Sequence, residues 1–528
     1  MYPVGGVFST GYATACPSAR RFAANNGVVT MHRVALSDRK WPRPFRYAQQ
    51  KARLLLESFS DRKRPRPFRY VQQKTRLLLD YGACLCLALA MLPVAPATAA
   101  TPAPVRVDFS EHTLKNGLRV QLVEDHTTPV IAVNAAYDVG SRNERPGLTG
   151  FAHLFEHMMF KGSNNVGDGE HFYQVFTNGG AMNGTTSADL TLYYESLPAN
   201  QLELALFLEA DRMRSLEITQ AKLGNQRQAV QEERRMRVDN QPYGRSYERF
   251  DEVFYDQFAY QHSTIGSMED LNAASVKDVA EFFRIYYAPN NAILTVVGDF
   301  KRDDTLALIR RYFEDIPRQS PPPPAELIDP PQTAERRETL TDALARAPQI
   351  LIGYKTEAGN GPDQAALQVL SSVLQSGDSS RLYQSISKEK ELVTGIGGYV
   401  EERIGTGGFY VTATVRPDRK PEEVEAAIYE EIARIAEEPI ADWELQKARN
   451  ATRLGYLQSI RSAQNRANIL GSYTVLFRDP HLINTRLGKI EAVTRADVQR
   501  VAKKYLQPIR RTVLTTLPAP AATPAPGP

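Results

Sequence analysis

Gly150-Phe151-Ala152-His153-Leu154-Phe155-Glu156-His157-Met158-Met159 sets three chemically capable side chains in a stretch whose apolar residues recur at helical spacing. On a helix, positions four apart share a face, so His153 and His157 present two imidazoles to one point. Glu156 precedes the second histidine by one residue, on a neighbouring face. From there its carboxylate can reach a metal-bound water without being a ligand. Zinc suits this set, with two nitrogens, one carboxylate oxygen still to be found and a position open to water. The plain alternative is a helix with two satisfied histidines, in a chain that holds only 8 His.

The third ligand has to come from elsewhere. A later helical stretch, Asn225-Gln226-Arg227-Gln228-Ala229-Val230-Gln231-Glu232-Glu233-Arg234, offers two carboxylates. Taken by themselves, Glu232 and Glu233 read equally well as a solvated helix face.

Around the motif the chain alternates between two periodicities. LRVQLVED, VIAVNAAYDV and AILTVVGDF read as strands; residues 147–160, 199–215 and SVKDVAEFFRIYY read as helices, and 216–238 as a long polar helix. Pro289-Asn290-Asn291 is a turn. The prolines from Pro321 to Pro324, then Pro330 and Pro331, make 318–337 a stiff linker. After it the order restarts: APQILIGYKT (strand), DQAALQVLSSVLQ (helix), GGFYVTATVRP (strand), KPEEVEAAIYEEIARIAEE (helix), more helix over 440–470 and 494–505, and RTVLTTLP (strand). The expectation is an α+β fold of two homologous halves, 105–317 and 338–517, each a mainly antiparallel sheet packed with helices, and a disordered Pro/Ala tail over 518–528.

The N-terminal hundred residues read differently. DRKWPRPFRYAQQKARLLL at 38–56 recurs as DRKRPRPFRYVQQKTRLLL at 61–79, too few copies for a solenoid. Segment 1–80 is therefore expected to be absent from the mature protein. Lys74 and Arg76, the apolar run from Tyr81 to Val94 and Ala97-Thr98-Ala99 follow the order of a secretory signal peptide over 71–100. An exported, periplasmic location is the expectation, with an N-terminal membrane anchor as the alternative and no stable span after processing. Cys16, Cys84 and Cys86 all lie in this segment, so the body has no disulfide, thiolate metal site or cysteine nucleophile. Residues 1–100 carry 16 Lys/Arg and 4 Asp/Glu, leaving the body acidic at a net −8, unlike a nucleic-acid binder.

H-x-x-E-H is the inverzincin motif, and its surroundings resemble the pitrilysin-type peptidases of family M16. The resemblance spans about 108–515 and rests on GLTGFAHLFEHMMFKG, GGAMNGTTSADLTLYY, NQRQAVQEERR, IGSMEDL and YYAPNNAILTVVGDF. It implies one Zn2+ per chain on His153, His157 and a glutamate about 76 residues beyond the second histidine. That position is Glu233, with Glu232 as the fallback. Many relatives carry a further glutamate where this chain has Gln226. The resemblance also implies the chemistry: a metal-activated water gives its proton to Glu156 and attacks a peptide carbonyl. Ala181, Met182, Asn183, Gly184 and Thr185 resemble the edge strand to which extended peptide substrates add by β-augmentation.

Active relatives also carry an Arg and a Tyr seven residues apart in the second half, which clamp the substrate. Alignment to ISKEKELVTGI puts Ser387 and Thr394 at those places, while Arg381, Tyr383 and Tyr399 have other spacings. The implied enzyme is an exported zinc endopeptidase working with a homologous M16-like subunit that supplies the Arg/Tyr pair. The competing expectation is a non-catalytic core or scaffold subunit of the same fold.

Overall fold

Strands that are apolar along their whole length need cover on both faces, and that requirement organises the molecule. In the computed structural model, which describes residues 106–520, the first half runs β1 (Ser110–Thr113), β2 (Arg119–Glu124), β3 (Val130–Tyr137), α1 (Phe151–Met158), α2 (Glu170–Thr177), β4 (Ala181–Thr186), β5 (Thr191–Pro198), α3 (Leu202–Ser215), α4 (Gln220–Arg234), α5 (Gly244–Phe254), α6 (Met268–Ala273), α7 (Val276–Tyr286), β6 (Ala292–Gly298) and α8 (Arg302–Phe313). The second half follows with β7 (Arg336–Asp342), β8 (Gln349–Thr356), α9 (Gln364–Gln375), β9 (Val393–Glu401), β10 (Gly407–Val415), α10 (Pro421–Glu437), α11 (Asp442–Ser459), α12 (Ala463–Phe477), α13 (Leu482–Ala492), α14 (Arg495–Tyr505) and β11 (Arg511–Pro518). The repeated segment and the signal-like segment lie outside the described residues.

The first sheet has 6 strands in the order β1-β2-β6-β3-β5-β4, antiparallel except between β2 and β6. The second has 5 in the order β7-β11-β8-β10-β9, antiparallel except between β7 and β11. Setting β1 aside, the two orders match strand for strand, and the parallel pair falls at the same place. This is the α+β pair of homologous halves expected from the restart of the pattern.

Each half lends a helix to the other. On β8 of the second sheet, α5 lays Phe250 and Phe254 against Gly353, where a Cβ would come within 2.7 and 2.8 Å of their rings. Ser246 of α5 bonds Thr516 of β11 at 2.7 Å. In return α12 covers the first sheet: Gln121 Nε2 donates to Thr474 Oγ1 at 2.8 Å, and Asn134 Nδ2 to Asn468 Oδ1 at 3.0 Å. This exchange is why β6 and β8 are buried at every position.

Element limits differ from expectation where caps intervene. Gly150, left-handed at φ 83°, opens α1, so the helix is shorter than 147–160. The polar helix over 216–238 leaves α-geometry after Arg234 and ends in a π-helical turn, Arg235–Asp239. β7 begins at Arg336, inside the stretch read as linker, because Arg336–Asp342 pairs with β11. β11 extends to Pro518, and Ala519 N donates to Asp342 O at 3.0 Å.

Beneath the first sheet Arg212 is 1% exposed; its Nε donates to Glu209 Oε2 at 3.0 Å and its guanidinium sits 4.5 Å from the Tyr193 ring centre. Arg212→Ala leaves Glu209 buried without its cation. We expect a loss of about 3–5 kcal/mol of unfolding free energy in urea titration. A loss below ~1 kcal/mol would mean the pair does not hold this core.

Candidate metal centre

The helix carrying the motif is anchored by a buried carboxylate. Glu144 accepts from Gly150 N at 2.8 Å and Ala152 N at 2.7 Å, satisfying first-turn amides and complementing the helix dipole. Gly150 is needed there: its φ is positive, and a Cβ would come within 2.5 Å of Ile265 O. Phe151, Ala152, Leu154, Phe155 and Met158 of α1 enter the core. The opposite side of the helix turns His153 and His157 toward α4.

Glu233 of α4 meets them. Its Oε2 lies 3.3 Å from His157 Nε2 and 3.7 Å from His153 Nε2, and the three donor atoms all fall within 4.8 Å of one another. Zinc bonds of 2.0–2.2 Å at tetrahedral angles put ligand atoms about 3.4 Å apart, so two nitrogens and one carboxylate oxygen here fit that ion. Glu232 points elsewhere: it is exposed and pairs with Arg235 at 2.9 Å. Gln226 bonds the neighbouring Asn225 side chain at 2.6 Å. The other oxygen of Glu233 accepts from Arg237 at 2.7 Å, one turn on, in the π-helical segment. That contact fixes the carboxylate's rotation.

Burial and the neighbouring His157 push the His153 imidazole down to about 4, so it is neutral near pH 7, the form that ligates a metal. Burial acts upward on Glu233, but the hydrogen bond with His157 and the charge of Arg237 outweigh it and hold the carboxyl below its usual range. Burial raises the Glu156 carboxyl to about 7, against the pull of a hydrogen bond from Thr186. That bond, Thr186 Oγ1 to Glu156 Oε2, is 2.5 Å long.

Thr186 belongs to β4, the last strand of its sheet, which among the described residues pairs only with β5. Exposure alternates along β4: Ala181, Asn183 and Thr185 face outward, while Met182, Gly184 and Thr186 face inward. Met182 packs on the core, and Asn183 Oδ1 accepts from Gly184 N at 2.9 Å. Among the described residues a second grouping, His171 with Glu195 and Glu209, is fully buried, and there Arg212 already supplies the cation.

The second half places its candidates away from such chemistry. Arg381 is engaged by Glu444 at 2.7 and 2.8 Å, and Tyr399 stacks beside Tyr410 with ring centres 5.0 Å apart. Tyr383 lies below Lys388, 5.6 Å from its ring centre. Ser387 is half-buried, and Thr394 donates to Thr414 O at 3.3 Å. Sequence reasoning missed Arg237 and Thr186. Their signals are a four-residue step from Glu233 and a two-residue step from Gly184.

The model described as Insulinase (Peptidase family M16) matches residues 119–266, and that described as Peptidase M16 inactive domain matches 273–452. The chain is 31% identical over 409 residues to zinc protease PqqE of Helicobacter pylori, covering 77% of this chain and 92% of that protein. The chain belongs to peptidase family M16. A solved protease from Helicobacter pylori superposes on this M16 chain with TM-score 0.75 and 30% identity, covering 78% of it and 100% of its own length. The first half of the periplasmic protease PqqL from Escherichia coli shares the fold, with TM-score 0.65 and 20% identity over 79% of this chain and 93% of that one. Within the M16 frame, His153, Glu156, His157 and Glu233 all fall in the segment matched by the first model.

Proposed function

We propose that this M16 member is an exported zinc endopeptidase that cleaves peptides or unfolded segments and works with a homologous partner subunit. The observation that carries the reading is the convergence of His153, His157 and Glu233 beside Glu156 and the free edge of β4. Two imidazoles and one carboxylate would hold one zinc per chain. Bound there, zinc would polarise the scissile carbonyl and lower the pKa of a water. Glu156 would be the proton acceptor in that chemistry and the proton donor to the leaving amine. The open edge of β4 takes the substrate as an added strand, with Ala181, Asn183 and Thr185 outward, so backbone bonds supply affinity with little demand on sequence.

The partner follows from what the second half offers. Ser387 and Thr394 cannot act as a cationic and phenolic clamp, and Arg381 is already committed to Glu444. A homologous subunit with the Arg/Tyr pair would complete the site. Export rests on the basic, apolar and small-residue order over 71–100, and the relative PqqL is described as periplasmic. No helix of the described residues is long and apolar enough to cross a membrane.

A second reading, a non-catalytic core subunit, draws on the description of the second-half model as an inactive domain. Metal analysis and turnover separate the two. The purified mature chain is expected to hold about one zinc. By itself it should cleave an unstructured peptide weakly, gain turnover when an M16-like subunit carrying the Arg/Tyr pair is added, and lose it to a chelator. Full turnover by the isolated chain would remove the partner. Absence of zinc, with no cleavage in any combination, would favour the core subunit.

A further inference from the structure

The strand proposed to receive substrate also touches the proposed base. Two inward-facing residues of β4, two positions apart, meet the Glu156 side chain. Thr186 Oγ1 donates to Glu156 Oε2 at 2.5 Å. At Gly184 a Cβ would lie 2.8 Å from Glu156 Oε1, 2.9 Å from Cγ and 3.1 Å from Cδ. Gly184 lies within a regular strand and is not among the positive-φ glycines. Its missing side chain therefore provides room rather than backbone freedom. The carboxylate is thus seated against a bare stretch of strand and pinned at one oxygen, leaving the other free to take a proton.

Behind the seat the contact is braced. Thr191 of β5 pairs directly with Thr186 in the strand register, and its Oγ1 lies 3.5 Å from Thr186 Oγ1 while donating to Val139 O at 2.9 Å. Glu156 Oε2 at 2.5 Å is a far nearer acceptor for the Thr186 hydroxyl than Thr191 Oγ1 at 3.5 Å, so the proton goes to the carboxylate. Tyr194, on β5 beside the site, is half-buried and adds no hydrogen bond to Glu156.

We propose that Thr186 is a positioning residue for Glu156 and that Gly184 keeps the base's seat open, so that one edge strand both accepts the peptide and orients the proton acceptor. This rests on the peptidase reading above and deepens it: a peptide added to β4 is registered against the same strand that fixes the base.

The test uses the zinc-loaded protein with its partner subunit and an internally quenched peptide. Thr186→Val keeps shape and strand preference but removes the donor. It should keep its zinc and thermal midpoint, leave KM unchanged and lower kcat roughly 10- to 100-fold, the worth of one hydrogen bond to a charged group. Thr186→Ser should restore most of kcat. Gly184→Ala should also lower kcat, by displacing the carboxylate. Parental kcat in Thr186→Val, or a Ser variant no better than Val, overturns the proposal while leaving the peptidase reading intact. A parent that cleaves nothing fails the peptidase reading instead. A crystal structure of Thr186→Val then still decides the seat: Glu156 unmoved overturns it, and Glu156 turned away from β4 supports it.

Discussion

Glu156→Gln is expected to keep about one zinc per chain and to lose peptide hydrolysis by roughly 10²- to 10⁴-fold, the contribution of a positioned proton acceptor. The two side chains have nearly the same shape, and Glu156 is 8% exposed in a pocket that fits it closely. The amide oxygen can still accept from Thr186, so the seat on β4 is retained. What the amide cannot do is take a proton from water. His153, His157 and Glu233 are untouched, so metal analysis should match the parent. Stability moves the other way. Burial holds the Glu156 carboxyl at about 7, above its ordinary 4.5, so its ionised form is the less favourable one in the fold. The metal-free parent therefore loses stability from this group as pH rises from 4.5 through 7, and the Gln variant does not. At pH 8, metal-free Glu156→Gln should melt no lower than the parent. Parental cleavage rates in this variant would remove Glu156 as the base.

Glu233→Ala should lose the metal, and Glu232→Ala should not. Only Glu233 faces the two imidazoles, at 3.3 and 3.7 Å, and its removal leaves two nitrogens for an ion that wants a third protein ligand. Zinc affinity should fall by more than the ~10- to 100-fold that loss of a ligand's outer partner alone costs. The expected readout is zinc competition with a chelating dye, with activity falling in parallel. Glu232, exposed and paired to Arg235, takes part in a surface contact worth about 0–1 kcal/mol. A chain that keeps stoichiometric zinc as Glu233→Ala but loses it as Glu232→Ala would reverse the assignment.

Those neighbouring glutamates show where sequence reading stops. Adjacent positions on a helix point about 100° apart, and the few apolar residues of α4, Leu223 and Val230, mark its buried side without saying what that side meets. The rotation is set by packing: Leu223 and Val230 are buried in the core, and that turns Glu233 toward α1. The same holds for β4. Its alternating exposure put Ala181, Asn183 and Thr185 outward, but only the approach of α1 showed that Gly184 and Thr186 meet Glu156.

Local pattern was enough for much of the rest. Periodicity and turn residues located the central strands β2, β3, β6, β8, β10 and β11 and the longer helices, because the apolar spacing of each reflects its own buried face, but not the more polar β1, β5, β7 and β9 or the helices α2, α5, α6, α8 and α13. The restart after the proline-rich segment was enough to infer two homologous halves, and the H-x-x-E-H spacing alone put His153 and His157 on one face of a helix. Tertiary structure decided what covers what. Spacing records that β6 and β8 are buried on both sides, but not that α12 and α5 cross between halves to bury them, since burial depends on contact area and not on where in the chain the covering residues lie. It likewise decided which carboxylate stands 3.3 Å from His157 and which threonine holds Glu156, because those distances depend on how elements distant in sequence pack together.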